Sequence, residues 1–151
     1  METFKVRRID TLVTKDLFHL IKESKKEGFR FLERLMNDYE DRTNTFHRPG
    51  ECLFGVYTKQ GVLIAIGGLN LDPFSDDQKV GRLRRFYVAK EFRRRAVGTL
   101  LLNEIITEAR KYFNVLVLHT DTVQAAAFYH HFGFLDVNNY PNSTHYLNLQ
   151  S

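Results

Sequence analysis

Cysteine occurs once in the 151 residues, at Cys52. That scarcity excludes an internal disulfide and fits a reducing compartment, with the cytoplasm as the default setting. No apolar run approaches the about eighteen residues of a membrane span, and no N-terminal apolar core has the form of a signal peptide. A soluble protein that neither enters nor crosses a membrane is expected. Proline occurs three times and glycine nine, too seldom for a low-complexity segment or a flexible linker, and no internal repeat is visible. A chain of this length, with nothing to divide it, is expected to form one domain over residues 1–151.

Net charge is small as well, +4 at neutral pH, yet Arg82, Arg84, Arg85, Lys90, Arg93, Arg94 and Arg95 crowd into fourteen positions. Charge this local implies a local partner. Leu83, Phe86 and Val88 describe an apolar strand whose alternation slips between Leu83 and Phe86, as it does when one extra residue bulges out and leaves backbone groups free. After the turn Phe92 to Gly98, apolar residues recur at helical spacing: Val97, Leu101, Ile105, then Leu102, Ile106, Ala109 and Phe113. The turn therefore empties into a helix N-terminus, where unpartnered N–H groups and the positive end of the macrodipole can hold a phosphate. Ala96 and Gly98 keep side-chain bulk low there. No Gly-Lys-Ser/Thr follows, so this is not a P-loop, and it lacks the three glycines of a dinucleotide fingerprint.

The rest of the chain reads in order. Phe4 to Ile9 predicts a first strand. Thr14 can cap a helix with Leu17, Phe18 and Ile21 on one side, ended by Lys25, Lys26 and Gly28. A second helix carries Phe31, Leu32, Leu35, Met36 and Tyr39, its charges Glu33, Arg34, Asp38, Glu40 and Asp41 forming a solvated face or an amine-recognition patch. Thr43 to Glu51 is a loop. Leu53–Thr58 and Val62–Leu71 form a hairpin turning at Gly61, and Gly67-Gly68 signals close backbone packing or a bulge. A polar turn, Pro73 to Lys79, precedes the basic strand. A helix from about Gly98 to Tyr112 leads to Val115–Thr120, apolar on both faces and thus an interior parallel strand reached by a right-handed crossover. A helix beginning at Ala125 stops at Gly133, and Phe134–Val137 with His145–Leu149 close a hairpin around Asn138 to Ser143. Composition and pattern justify an α/β or α+β protein.

Three segments in sequence carry a family likeness. Arg93-x-x-Ala96-x-Gly98 is similar to the acyl-CoA signature of the GNAT N-acetyltransferase superfamily. Val115 to Asp121 resembles that family's next strand, and Ala125 to Phe134 its helix ending in Tyr-x-x-x-Gly-Phe. The resemblance implies a GNAT-like acyl-CoA N-acyltransferase fold, α/β (α+β mixed sheet), with a central mixed β-sheet and helices on both faces. It implies acetyl-CoA as cosubstrate. The pantetheine arm would lie along the backbone of Phe86, Tyr87 and Val88. The pyrophosphate would rest on the N–H groups from Arg94 through Arg95, Ala96, Val97 and Gly98 to Thr99, with arginine side chains, Arg93 among them, at its edge. Thr122, a competent helix cap, could still donate to the cofactor. The implied reaction is direct transfer of acetyl from thioester to a primary amine of a small molecule or a protein. Tyr129, at the helix tyrosine of the motif, would protonate the leaving thiolate; the same position equally suits a core tyrosine beside Phe128, Phe132 and Phe134.

A base is harder to place. Many relatives carry Glu where this chain has Arg82, a departure that turns the acceptor toward something bearing a carboxylate or phosphate. His119, Asp121 and Glu51 are the other polar residues on the acceptor side, each also readable as an ordinary polar residue, and a water chain needs no dedicated base. No metal is assigned: His130 and His131 are adjacent on a helix, point in different directions, and have no Cys or carboxylate at ligand spacing. Cys52 lacks a patterned His partner and reads as a buried strand cysteine. Two other functions remain open, an acyl-CoA-binding sensor without turnover and a nucleic-acid surface. The second is disfavoured because the arginines sit in one turn and its strand, with no basic helix or aromatic platform. Pairing of two copies through the C-terminal strands is compatible with the pattern.

Overall fold

Residues 3–137 and 139–150 are described by the computed structural model, so the expected turn at Asn138 lies partly outside the described residues. The chain lays down β1 (Phe4–Arg8), a 3-10 turn (Thr14–Leu17), α1 (Phe18–Lys26), α2 (Phe31–Glu40), β2 (Cys52–Thr58), β3 (Leu63–Leu71) and β4 (Val80–Val88). A second 3-10 turn (Lys90–Phe92), α3 (Val97–Ala109), β5 (Val115–Leu118), α4 (Val123–His131), β6 (Leu135–Asp136) and β7 (His145–Asn148) complete it. The strands form one sheet in the order β1-β2-β3-β4-β5-β7-β6. Every neighbouring pair is antiparallel except β4 with β5. This is the mixed sheet the sequence predicts, and β5 is interior, as its two apolar faces require.

Consecutive residues of a strand face opposite ways, and two glycines of β3 show what covers each face. A Cβ on Gly67 would stand 2.9 Å from Ile105 Cδ1 of α3, while one on Gly68 would stand 2.3 Å from the ring of Phe46. The α3 helix thus lies directly on one face. On the other lie Phe46 and, through Tyr87 and its partners Phe31, Glu23 and Glu27, the α1–α2 end of the fold. Val97, Leu101, Leu102, Ile105, Ile106 and Ala109 of α3 are all buried, the wide apolar stripe of its sequence. Each large side chain among them contributes about 1.5–3 kcal/mol.

Two local expectations change. Thr14 caps nothing: its hydroxyl donates to Glu40 Oε2 at 3.3 Å, and a 3-10 turn over Thr14–Leu17 precedes the helix. That tighter turn shifts the helical register, so Leu17, Leu20, Ile21 and Ser24 are buried while Phe18 is 56% exposed. The α3 helix ends at Ala109 rather than Tyr112, because Arg110 sends Nη1 to the carbonyl of Leu149 at 2.7 Å and Phe113 turns in beneath Gly81. Among the described residues no helix is long and apolar enough to cross a membrane.

Candidate active site

The slip in alternation along β4 is a bulge. Ile66 pairs with Tyr87 but Gly68 with Arg84, so Gly67 alone faces both Arg85 and Phe86. Arg85 takes φ of +59° to accommodate the extra residue. On its other edge β4 pairs with β5 only where Val80, Gly81 and Arg82 meet Val115, Leu116 and Val117. Beyond Arg82 the two parallel strands no longer bond. The Ala89 N–H donates to the Ile64 carbonyl at 2.8 Å, which sets the ladder phase: Tyr87 bonds back to β3 and the peptide groups of Val88 turn away from it, toward the gap. Of the three residues expected to offer backbone there, Tyr87 therefore faces β3. The Val88 carbonyl already accepts from Arg93 Nε at 2.9 Å.

At the mouth of this gap the chain turns into α3. Arg94 and Ala96 both adopt the left-handed region, at φ of +65° and +62°, and alternation of that kind cups successive N–H groups toward one point. The N–H groups of Arg94 and of Ala96 to Thr99 have no backbone acceptor among the described residues; the first helical bond is Leu100 N–H to the Ala96 carbonyl, 2.9 Å. Arg94, Arg95, Ala96 and Thr99 are exposed, Gly98 half-buried and Val97 buried. A Cβ on Gly98 would lie 3.4 Å from Phe128 and 3.5 Å from Val88, so the cup sits against both β4 and α4.

The side chain of Arg93 faces elsewhere. Its Nη1 and Nη2 reach Glu27 Oε2 and Oε1 at 2.8 and 2.7 Å, and its guanidinium lies 5.3 Å over the Tyr87 ring. This pairing holds the Glu27 carboxyl at about 2 against the opposing effect of burial. The Tyr87 hydroxyl lies 2.6 Å from Glu23 Oε2 and 2.5 Å from Glu27 Oε1, and burial followed by these carboxylates pushes its pKa upward. The sequence reading missed both glutamates, although their four-residue spacing was the available signal.

Thr122 caps α4, its Oγ1 accepting from the Ala125 N–H at 3.1 Å. Two turns on, Tyr129 is 7% exposed. Its ring lies 6.1 Å from Phe86 of the bulge, 5.3 Å from Phe128, 5.5 Å from Phe134 and 6.5 Å from His145. Burial alone raises its pKa, and the hydroxyl makes no hydrogen bond among the described residues. It is a core tyrosine held beside the bulged strand.

Other expected groups are placed by the fold in structural roles. Arg82 is not free to meet an acceptor: Nε donates to Asp72 Oδ1 at 2.8 Å, and Nη1 and Nη2 reach the Asn142 and Pro141 carbonyls and the Ser143 hydroxyl at 3.0, 3.1 and 2.6 Å. Glu51 is buried, accepting from the Arg48 and Leu71 N–H groups and the Asn70 side chain. His119 and Asp121 form an exposed pair, 2.9 Å apart. Cys52 is buried, which pushes its thiol up to about 12. His130, given no partner by its sequence neighbourhood, meets Asp136 at 2.8 Å, and His145 joins them, the three ligand atoms within 4.8 Å of one another. That cluster is assembled by the expected C-terminal hairpin, whose register sets Asp136 opposite His145.

The comparisons agree with this geometry. The model of the Acetyltransferase (GNAT) family matches residues 14–134. A crystal structure from Exiguobacterium sp. 255-15, of a protein assigned as an acetyltransferase, is 29% identical with a TM-score of 0.85, over 97% of this chain and 93% of its own. An acetyltransferase of the GNAT family from Staphylococcus aureus Mu50 is 18% identical, TM-score 0.80, over 98% and 100%. The GNAT family N-acetyltransferase YhbS of Escherichia coli, solved in complex with CoA, is 12% identical, TM-score 0.69, over 99% and 83%.

Proposed function

The chain belongs to the acetyltransferase (GNAT) family, and from that premise we propose that it is a one-domain, acetyl-CoA-dependent N-acetyltransferase acting on a primary amine. The observation that carries this reading is the set of N–H groups at Arg94 and at Ala96 to Thr99, none of which has a backbone acceptor among the described residues, opening on the gap beside the β4 bulge. Those groups fit a pyrophosphate, with charge-assisted bonds to backbone and the α3 macrodipole behind them. The exposed Arg94 and Arg95 add little, since a solvated pair is worth about 0–1 kcal/mol. Val88 and Phe86 line the way inward, and Thr122 can offer its hydroxyl proton while capping α4.

Bound acetyl-CoA supplies an activated acetyl group, which a neutral amine takes as the C–N bond forms and the C–S bond breaks. Tyr129 gives its phenolic proton to the departing thiolate. Burial keeps that phenol protonated at neutral pH and raises the basicity of a thiolate in the same surroundings, which favours transfer between them. No carboxylate stands on β4, so water takes the proton lost by the amine. Phe86, Phe128 and Phe134 exclude bulk solvent around the phenol.

Release of free thiol from acetyl-CoA across a panel of amines tests the reading. Turnover with one amine class that falls about 10²-fold in Tyr129→Phe, with fold and acetyl-CoA affinity retained, is expected. Unchanged turnover in that variant removes Tyr129 as the acid; tight binding with no turnover on any amine selects the sensor.

A further inference from the structure

Positive charge on the bulged strand is not balanced. Arg82 has Asp72 to itself, but Arg84 and Arg85 follow it on the same face of the sheet. Arg84 lies opposite Gly68, on the Phe46 side. It is half-buried and makes no hydrogen bond or ion pair among the described residues. Arg85, at the bulge, points to α2, where its Nη2 is 3.5 Å from Asp38 Oδ2, a loose contact for a side chain only 11% exposed. Among the described residues Asp38 is the single carboxylate offered to both. Asp72 and Glu51, the next nearest, are already bonded, and Arg34 adds further positive charge around Asp38.

Burying a guanidinium with so little compensation is costly. Burial, then Arg84 beside it, pulls Arg85 down to about 10, and burial, then Arg82, lowers Arg84. A left-handed residue other than glycine is also strained, so the bulge holds an arginine where glycine would fit more easily.

We propose that Arg84 and Arg85 form an anion subsite for the acceptor, so that the molecule acetylated is a small amine that also carries a carboxylate or a phosphate. This rests on the acetyltransferase reading, which makes the gap beside the bulge the place of reaction. The cofactor's phosphates have their own cup at the start of α3, and α3 packs on the opposite face. An anion reaching Arg84 and Arg85 approaches from the Phe46 and α2 side, leaving its amine to extend past the bulge toward the thioester. Arg82, locked against the 141–143 segment, walls the subsite without belonging to it.

Matched acceptors that differ only in the anion test the idea: glycine against glycinamide for a carboxylate, phosphoethanolamine against ethanolamine for a phosphate. The anionic member of one pair should show kcat/KM at least about tenfold higher. Arg84→Gln and Arg85→Gln should erase that preference through acceptor KM while the acetyl-CoA KM stays constant. Whichever pair responds names the anion. Equal rates within both pairs, or a preference that survives both substitutions, overturns the subsite. A second measurement needs no turnover: titration with glycine or phosphoethanolamine, followed by guanidinium NMR signals assigned through the two variants. Shifts at Arg84 and Arg85 with either anionic probe support the subsite, and none up to millimolar concentration overturns it. Acetyl-CoA affinity, measured separately, decides the acetyltransferase reading: its absence sinks that reading, whereas intact acetyl-CoA binding with silent arginines sinks only the subsite.

Discussion

Arg93 grips Glu27 through both terminal nitrogens, at 2.8 and 2.7 Å, and so bolts the turn before α3 to the end of α1. The pairing makes stability depend on pH in a defined direction. Glu27 is held at about 2 in the fold against 4.5 unperturbed. Above pH 4.5 both folded and unfolded chains carry the carboxylate, and the stabilisation is fully present. As pH falls from 4.5 toward 2 the unfolded chain takes up the proton first, and stability declines across that window. Glu27→Gln should flatten that part of the stability–pH profile in urea melts. Arg93→Ala should cost about 0–1 kcal/mol at pH 7, since water can solvate the carboxylate it leaves. Acetyl-CoA affinity that fell in proportion would mean the side chain also reaches the phosphates.

Arg82 and Asp72 form a buried ion pair at 2.8 Å, and Asp72 Oδ2 is buried with no donor of its own among the described residues. Removing the arginine alone should therefore hurt more than removing both charges. Arg82→Leu is expected to lose about 3–5 kcal/mol, and Arg82→Leu with Asp72→Leu to recover a large part of it. Equilibrium unfolding of the two variants checks this, and equal losses would show that the clamp on the 141–143 segment matters more than the buried charge.

Much of this was readable before the structure because it is local. The slipped alternation from Leu83 to Phe86 announced the bulge, the small residues Ala96 and Gly98 announced the turn into α3, and Gly133, at φ of +104°, ends α4 where expected. What escaped was whatever tertiary packing decides. Thr14 looks like a cap, but the 3-10 turn starting there gives its hydroxyl to Glu40 instead. Arg82 looked like a free charge on the acceptor side, yet its partners lie ten to sixty-one residues away, beyond any local pattern. Arg84 and Arg85 were visible only as members of a basic stretch; which of its arginines are satisfied is set by Asp72, Asp38 and Glu27, each from a different element.

Cys52 provides a control on the assay. Its thiol is buried and pushed up to about 12, so the folded protein should not react with a disulfide reagent at pH 8, where an exposed thiol, near 8.5, is partly ionised. One equivalent should react on unfolding in guanidinium. Rapid labelling of the native protein would show that β2 opens locally, and thiol-release rates would then need correction for it.

The division of labour at the anion cup can be decided by three substitutions. Ala96 stands at φ of +62°, where glycine is at ease. Ala96→Gly should keep acetyl-CoA affinity and gain up to about 1 kcal/mol in stability as strain is relieved. Ala96→Pro cannot adopt that φ and removes one N–H from the run, so affinity should fall at least about tenfold. Arg94→Ala removes a whole charge, but an exposed one, and should change affinity only severalfold, the change shrinking as salt is added. Isothermal titration with acetyl-CoA at two salt concentrations orders the three. If Arg94→Ala weakens binding more than Ala96→Pro, the phosphates are held by side-chain charge and the backbone cup is incidental. The expected order places the grip in peptide groups, which this turn presents already fixed and pointing outward, with no side-chain entropy to lose when the ligand arrives.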